Sequence, residues 1–164
     1  MEAVQPSSKG IIVSGFPGVG KTILFNNPGG LTILDSDSSK FSWIDKAKGE
    51  RHPKWPKNYV DHIVANRDKA DLLLVSSHKE TRDALVESGV GFSLVYPSLE
   101  MRQEYIDRYI KRGSNAQFVK LLEANYEKWI QELMMQQKCK HVLLQPGQYL
   151  SDVIDLIVAK NQKT

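Results

Sequence analysis

The run Gly15-Phe-Pro-Gly18-Val-Gly20-Lys21-Thr22, which follows the apolar stretch Gly10-Ile-Ile-Val-Ser14 directly, concentrates residue types suited to holding a phosphate chain. Glycines at these spacings let the backbone curl tightly enough to aim successive N–H groups at phosphate oxygens. A helix starting where the run ends would add the positive end of its dipole. The pattern G-x-x-x-x-G-K-[ST] is that of a P-loop: Gly15, Pro17, Gly18, Val19 and Gly20 shape the cradle. Lys21 is expected to bridge the β- and γ-phosphates, and the Thr22 hydroxyl to be a Mg²⁺ ligand. The plain alternative is a glycine turn carrying a surface lysine. A strand before the run and a helix after it favour the phosphate-binding reading.

Two carboxylates follow, at Asp35 and Asp37. In an extended chain, residues two apart project to the same side, so both could face one site. Asp35 then holds Mg²⁺ directly or through water, and Asp37 orients or deprotonates an acceptor hydroxyl. Their other reading is as caps of the next segment, which Asp and Ser favour. The later apolar run Leu72-Leu-Leu-Val-Ser-Ser77 ends in serines, not in the acidic residue that often completes a Mg²⁺ site, so Asp35 or water must supply that charge. Ser77-His-Lys-Glu80 has the spacing of a capping box.

Leu99 to Gly113 predicts a helix closed by glycine, with Leu99, Ile106 and Ile110 as its apolar stripe. Arg102 falls beside that stripe, and Arg108 and Arg112 stack one turn apart on the far side. These arginines are either a solvated basic face or a short lid, about 99–115, closing over a triphosphate and stabilising charge during transfer. The segment 41–70 has no apolar run but carries Trp43, Arg51, His52, Trp55, Lys57 and Tyr59, so it reads as an acceptor-binding arm or an ordinary surface. Arg51, Tyr59, Arg82, Arg102 and Asp37 are the candidate acceptor contacts. The turn Gln145-Pro146-Gly147-Gln148 is expected at the crevice edge, against the nucleotide base.

These residues need a frame that brings them together. Five short apolar runs, 11–14, 32–35, 72–76, 92–96 and 141–145, alternate with helical patterns. Apolar residues at consecutive positions suit strands buried on both faces of a parallel sheet. The expected fold is a three-layer α/β P-loop NTPase fold in one domain. From Ala116 to about Gln136, Phe118, Leu122, Tyr126, Trp129 and Leu133 recur at helical spacing and read as core. The 164 residues are 25% charged with a net charge of +3, too mild to argue for nucleic-acid binding. The single cysteine, Cys139, excludes an intrachain disulfide and suits a reducing compartment. No run approaches the length of a membrane span, and the expectation is a cytoplasmic protein.

The form G-x-P-G-x-G-K-T at 15–22 and the four-residue spacing of Arg108 and Arg112 resemble the nucleoside monophosphate kinase family. The turn at 145–148 stands where that family contacts adenine. The pair Asp35-x-Asp37 is more similar to small-metabolite kinases of the shikimate kinase type, and the segment Leu34-Asp-Ser-Asp-Ser-Ser39 resembles small phage nucleotide kinases. The resemblance implies a parallel sheet in order 2-3-1-4-5, ATP and Mg²⁺ as cofactors, and transfer of the γ-phosphoryl group to a nucleoside or deoxynucleoside monophosphate. It departs from adenylate kinases in lacking an acid at the third strand and a long lid insertion. The alternatives are a kinase for a small metabolite or a polynucleotide 5′ end, and a non-catalytic ATP-binding switch.

Overall fold

A computed structural model describes residues 10–36, 41, 43–45 and 47–162. The apolar runs become five strands: β1 (Ile11–Gly15), β2 (Ile33–Asp35), β5 (Leu72–Ser76), β6 (Ser93–Pro97) and β7 (Lys140–Leu144). Two further strands, β3 (Trp43–Asp45) and β4 (Glu50–Arg51), form a separate antiparallel hairpin. The main sheet is parallel throughout, in the order β2-β5-β1-β6-β7. Its numbers differ from the expected 2-3-1-4-5 because the hairpin, which the sequence did not mark as strand, adds two strands between the second and third apolar runs. Ile11 pairs with Leu72 and Gly15 with Ser76 on one side of β1, while Val13 pairs with Ser93 on the other.

Every residue of β1 and β6 is buried, as are four of five in β5. Burial at consecutive positions requires cover on both faces, since successive side chains point to opposite sides. Helices supply it: α1 (Lys21–Asn26), α2 (Lys57–Asn66), α3 (Lys79–Glu87), α4 (Arg102–Lys111), α5 (Ala116–Met134) and α6 (Leu150–Gln162). Asn115 caps α5, its side-chain oxygen accepting the Gln117 amide at 2.7 Å.

Three local expectations change. Helix α2 lies inside the segment read as lacking an apolar run, and Tyr59, Val60 and Ile63 bury its inner stripe. No side chain caps α3: its N-cap is His78 rather than Ser77, whose carbonyl accepts from the Arg82 Nε at 2.8 Å, and the Glu80 carboxylate accepts from the Trp55 indole at 2.7 Å, so the acidic half of the expected box is otherwise engaged. The buried face of α4 is Tyr105, Ile106 and Tyr109, with Leu99 and Ile110 exposed. Two tyrosines bury more ring area than the aliphatic pair could, and they rotate the helix so that Arg108 faces the protein. Gly113, at φ 79°, ends α4, with the Ser114 amide donating to the Tyr109 carbonyl.

Candidate functional site

All five parallel strands point their carboxyl ends the same way, and ligand crevices of open α/β sheets lie along that edge. The loop 16–20 leaves this edge from the central strand β1. Gly18 and Gly20 have φ of 93° and 102°, backbone that L side chains rarely adopt. A β-carbon on Gly15 would sit 2.9 Å from Val19 Cγ2, and one on Gly20 would sit 3.1 Å from the Tyr149 ring. Torsion therefore requires glycine at 18 and 20, and space disfavours a side chain at 15 and 20. Phe16 and Val19 spend their amides inside the fold, on the Val95 and Phe16 carbonyls. The amides of Gly18, Gly20 and Thr22 meet no backbone acceptor among the described residues. Lys21 folds back so that its Nζ donates to the Gly15 carbonyl at 2.9 Å, and Thr22 is exposed at the mouth of the loop. Helix α1 has six residues, so the dipole at its start is that of a short helix and the loop's own amides dominate the local field.

Arg108 supports this loop from α4. Its guanidinium donates to the Gly18 carbonyl at 2.9 Å, to the Gln148 carbonyl at 2.7 Å and to the Tyr105 hydroxyl at 3.1 Å, and it pairs with Glu104. It also lies over the rings of Tyr105 and Tyr149, 4.5 and 3.8 Å from their centroids. Only 9% of the side chain is exposed. Arg108 was expected to stand over the loop as a lid arginine; here it cannot close over a ligand without leaving these partners. Glu104 accepts in turn from the Gly147 amide at 2.9 Å, so the turn Gln145–Gln148 is tied to α4 and, through Arg108, to Gly18. Gln145, Pro146 and Gly147 are exposed beside the loop. The Leu150 amide donates to the Val19 carbonyl at 2.7 Å and fixes the start of α6 there too.

A cavity of about 240 Å³ adjoins the loop, between Phe16 and Pro17, the turn Ser77–Lys79 into α3, Tyr109 of α4, and Phe118 and Trp129 of α5. Arg82, 5% exposed, lines it, held by the Ser77 carbonyl and by the Gln136 side chain at 2.6 Å. Burial lowers the Arg82 pKa, against the opposing pull of Asp83 and Glu132. His78 is held below its ordinary value by desolvation first and then by the Lys21 charge, with Arg51 and Arg82 adding to the effect and Glu80 opposing it. The imidazole is thus neutral near pH 7. The charges of Lys21, Arg51 and Arg82, from three separate segments, all disfavour protonation of His78.

The other candidates separate. Tyr59 is fully buried, its hydroxyl donating to the Ser36 carbonyl and its ring packed on Phe41 and Trp55. Its proposed role as an acceptor contact is corrected: apolar neighbours and a backbone acceptor make it core. Arg102 donates to the Glu123 carbonyl on α5 at 2.7 Å and ties two helices together. Arg112 is exposed and lies over Tyr109, 5.0 Å from its centroid. Arg51 lies over Trp43 across the hairpin, 4.2 Å from the ring centroid. Asp35 is exposed at the carboxyl end of β2, two strand spacings or roughly 10 Å from β1. Asp37 falls outside the described residues. Among the described residues no group of three acidic, histidine or cysteine side chains could by itself hold a metal.

Sequence reasoning missed Tyr105 and Glu104 around Arg108, and Phe16, Tyr109, Phe118 and Trp129 around the cavity. Tyr105 and Tyr109 were legible as an i, i+4 aromatic pair on the helix that carries Arg108. Phe118 and Trp129 carry only a core-like periodicity, and nothing in it distinguishes packing against a cavity from packing against side chains. No helix among the described residues is long and apolar enough to cross a membrane. No protein-family model matches the chain, and no curated protein matches it.

Proposed function

We propose that the chain is an ATP-dependent kinase that transfers the γ-phosphoryl group to a nucleoside or deoxynucleoside monophosphate. The observation that carries this reading is the glycine loop: backbone held at positive φ, amides without backbone acceptors, and Lys21 and Thr22 at its exit, all on the central strand's carboxyl end. Such a loop fits a chain of phosphates, and an adjoining cavity leaves room for a second reactant.

Phosphoryl transfer asks a protein mainly for positioning and charge stabilisation. In this chain the Gly18, Gly20 and Thr22 amides would hold phosphate oxygens, and Lys21 would swing from the Gly15 carbonyl to the β- and γ-phosphates. Mg²⁺, when bound, supplies neutralisation of the charge developing on the transferred group. Thr22 would hold it through its hydroxyl, and Asp35, two strands away, would act through water. Asp37 is proposed to orient the acceptor oxygen. Arg51 and Arg82, whose charges both act on His78 together with that of Lys21, would give the acceptor's phosphate a positive surrounding. Arg108 acts through the loop it braces, and Arg112, exposed one turn on, is the arginine still able to reach a bound phosphate.

The test is incubation with γ-labelled ATP, Mg²⁺ and each common ribo- and deoxyribonucleoside monophosphate, with Lys21→Met and Asp37→Ala as controls. Label should appear in one diphosphate at a turnover of about 1–100 per second and disappear in both controls. ATP that binds without label moving to any monophosphate would reject the proposal.

A further inference from the structure

Arg82 is a cation inside the fold, 5% exposed. Among the described residues it makes no ion pair: Asp83 is taken by Lys79 at 2.6 Å, and Glu132 acts on Arg82 only through space. Two of its three nitrogens are engaged. Nε donates to the Ser77 carbonyl at 2.8 Å, and Nη1 to the Gln136 side-chain oxygen at 2.6 Å. Nη2 makes no hydrogen bond among the described residues, yet, unlike the Arg108 Nε, it is not sealed from water. Arg82 lines the cavity beside the glycine loop, and Nη2 opens there. A buried cation without a counter-ion, with a donor facing a cavity, calls for an anion. The rest of the polar lining supplies none within reach: His78 is neutral, Lys79 is a second cation, and Glu132 is exposed and beyond ion-pair distance.

Gln136 stands just past α5, and its own place is fixed. Its carbonyl accepts from the His141 Nε2 at 2.7 Å, and His141 Nδ1 pairs with the Tyr96 hydroxyl at 2.8 Å, so the connection carrying Gln136 is tied to β7 and β6. Its side-chain oxygen must be the atom that meets Arg82, because a guanidinium only donates. We propose that Gln136 is a positioning residue for the acceptor: by holding Nη1 it turns Nη2 into the cavity, where Arg82 donates to one oxygen of the acceptor's phosphate. This inference rests on the kinase reading and adds to it a residue that itself touches no ligand. A guanidinium fixed at two nitrogens is oriented before the anion arrives, so little side-chain freedom is lost on binding. A neutral amide suits that task, because it orients the cation without neutralising it, whereas a carboxylate in its place would compete with the incoming anion.

The test compares wild type with Gln136→Leu, which releases the guanidinium, and Gln136→Glu, which keeps its partner but pairs its charge. Binding of each labelled nucleoside monophosphate and of labelled ATP to the full chain is measured by equilibrium dialysis, with thermal melts alongside. For one monophosphate the Kd should rise roughly tenfold in both variants, while the ATP affinity holds. The Tm should fall in Gln136→Leu and hold or rise in Gln136→Glu, so that affinity and stability part in the glutamate variant. In the transfer assay both variants should raise the KM for that monophosphate and lower kcat less. Wild-type affinity in Gln136→Glu, with weak binding only in the destabilised Gln136→Leu, would make the bond structural and overturns the proposal. Unchanged affinity in both variants, or no monophosphate bound by the wild type, overturns it too. Binding that depends on Gln136 with no label transferred supports the Arg82 site and rejects the kinase. Label transfer with an unaltered KM in both variants overturns this inference and leaves the kinase standing.

Discussion

Replacing Arg108 with methionine keeps most of the side chain's length and removes the charge that joins three segments. The guanidinium contributes hydrogen bonds to the Gly18 and Gln148 carbonyls and an ion pair with Glu104, in a site where its side chain is 9% exposed. Its stacking on Tyr105 and Tyr149 adds about 0.5–2 kcal/mol. Each buried acceptor left without a partner costs about 1–3 kcal/mol. Glu104, 30% exposed and still accepting from the Gly147 amide, can rehydrate and contributes less. Breaking a buried pair from one side costs about 3–5 kcal/mol, and we take that as the expected loss for Arg108→Met. For a domain of this size each kcal/mol shifts the Tm by about 2–4 °C, so the midpoint should fall by about 6–20 °C. Circular dichroism melts of wild type, Arg108→Met, Tyr149→Leu and the double variant provide the measurement, and the double variant should lose less than the sum of the singles. A fall of less than about 2 °C, or strict additivity, would refute the clamp as an energetic unit.

Gly18→Ala should cost more than alanine at glycines outside the loop that lack a close neighbour. It combines φ 93° with a β-carbon 3.2 Å from the Tyr105 ring, whereas Gly147→Ala carries only the torsional penalty, and Gly91→Ala, with neither, should melt near wild type; equal shifts for Gly18 and Gly147 would show that the two tyrosines do not crowd the loop. Desolvation raises the pKa values of Tyr105, Tyr109 and Tyr126 above the ordinary 10.0. The unfolded chain therefore loses these protons first, and stability should fall as pH rises past about 10. An absorbance titration should show these three of six tyrosines ionising only with unfolding. His78 is shifted the other way, so below about pH 6.5 the unfolded chain takes up its proton first and stability should fall with pH down to the folded pKa. In His78→Gln that part of the slope should flatten, and an unchanged slope would remove the assigned surroundings of the imidazole.

The frame of this molecule was open to reading because it rests on two strong signals. Consecutive apolar residues mark doubly covered strands, and the glycines at 15, 18 and 20 announce a backbone that other residues cannot follow. The stripe of α4 was misread because tyrosines were weighed below leucine and isoleucine. At 105 and 109 the rings provide the burial, and the hydroxyls are tolerated through Arg108 at one position and left without a partner among the described residues at the other. Tyr59 shows the opposite error. A polar group on a suitable segment reads as a ligand contact, yet the backbone carbonyl of Ser36, invisible to sequence patterns, is its partner. The cavity wall could not be read at all, since Phe118 and Trp129 repeat with the same period as the core residues beside them.

The bond from the Leu150 amide to the Val19 carbonyl has a kinetic meaning as well as a structural one. Together with Arg108 it fastens the glycine loop to α4 and α6, so an excursion of the loop cannot occur without releasing that amide to solvent. Hydrogen exchange at Leu150 is thus a clock on loop opening. If it is slow in the free protein, the cradle is assembled before any ligand arrives, and arrival is governed by diffusion into a ready shape rather than by a folding step at the mouth.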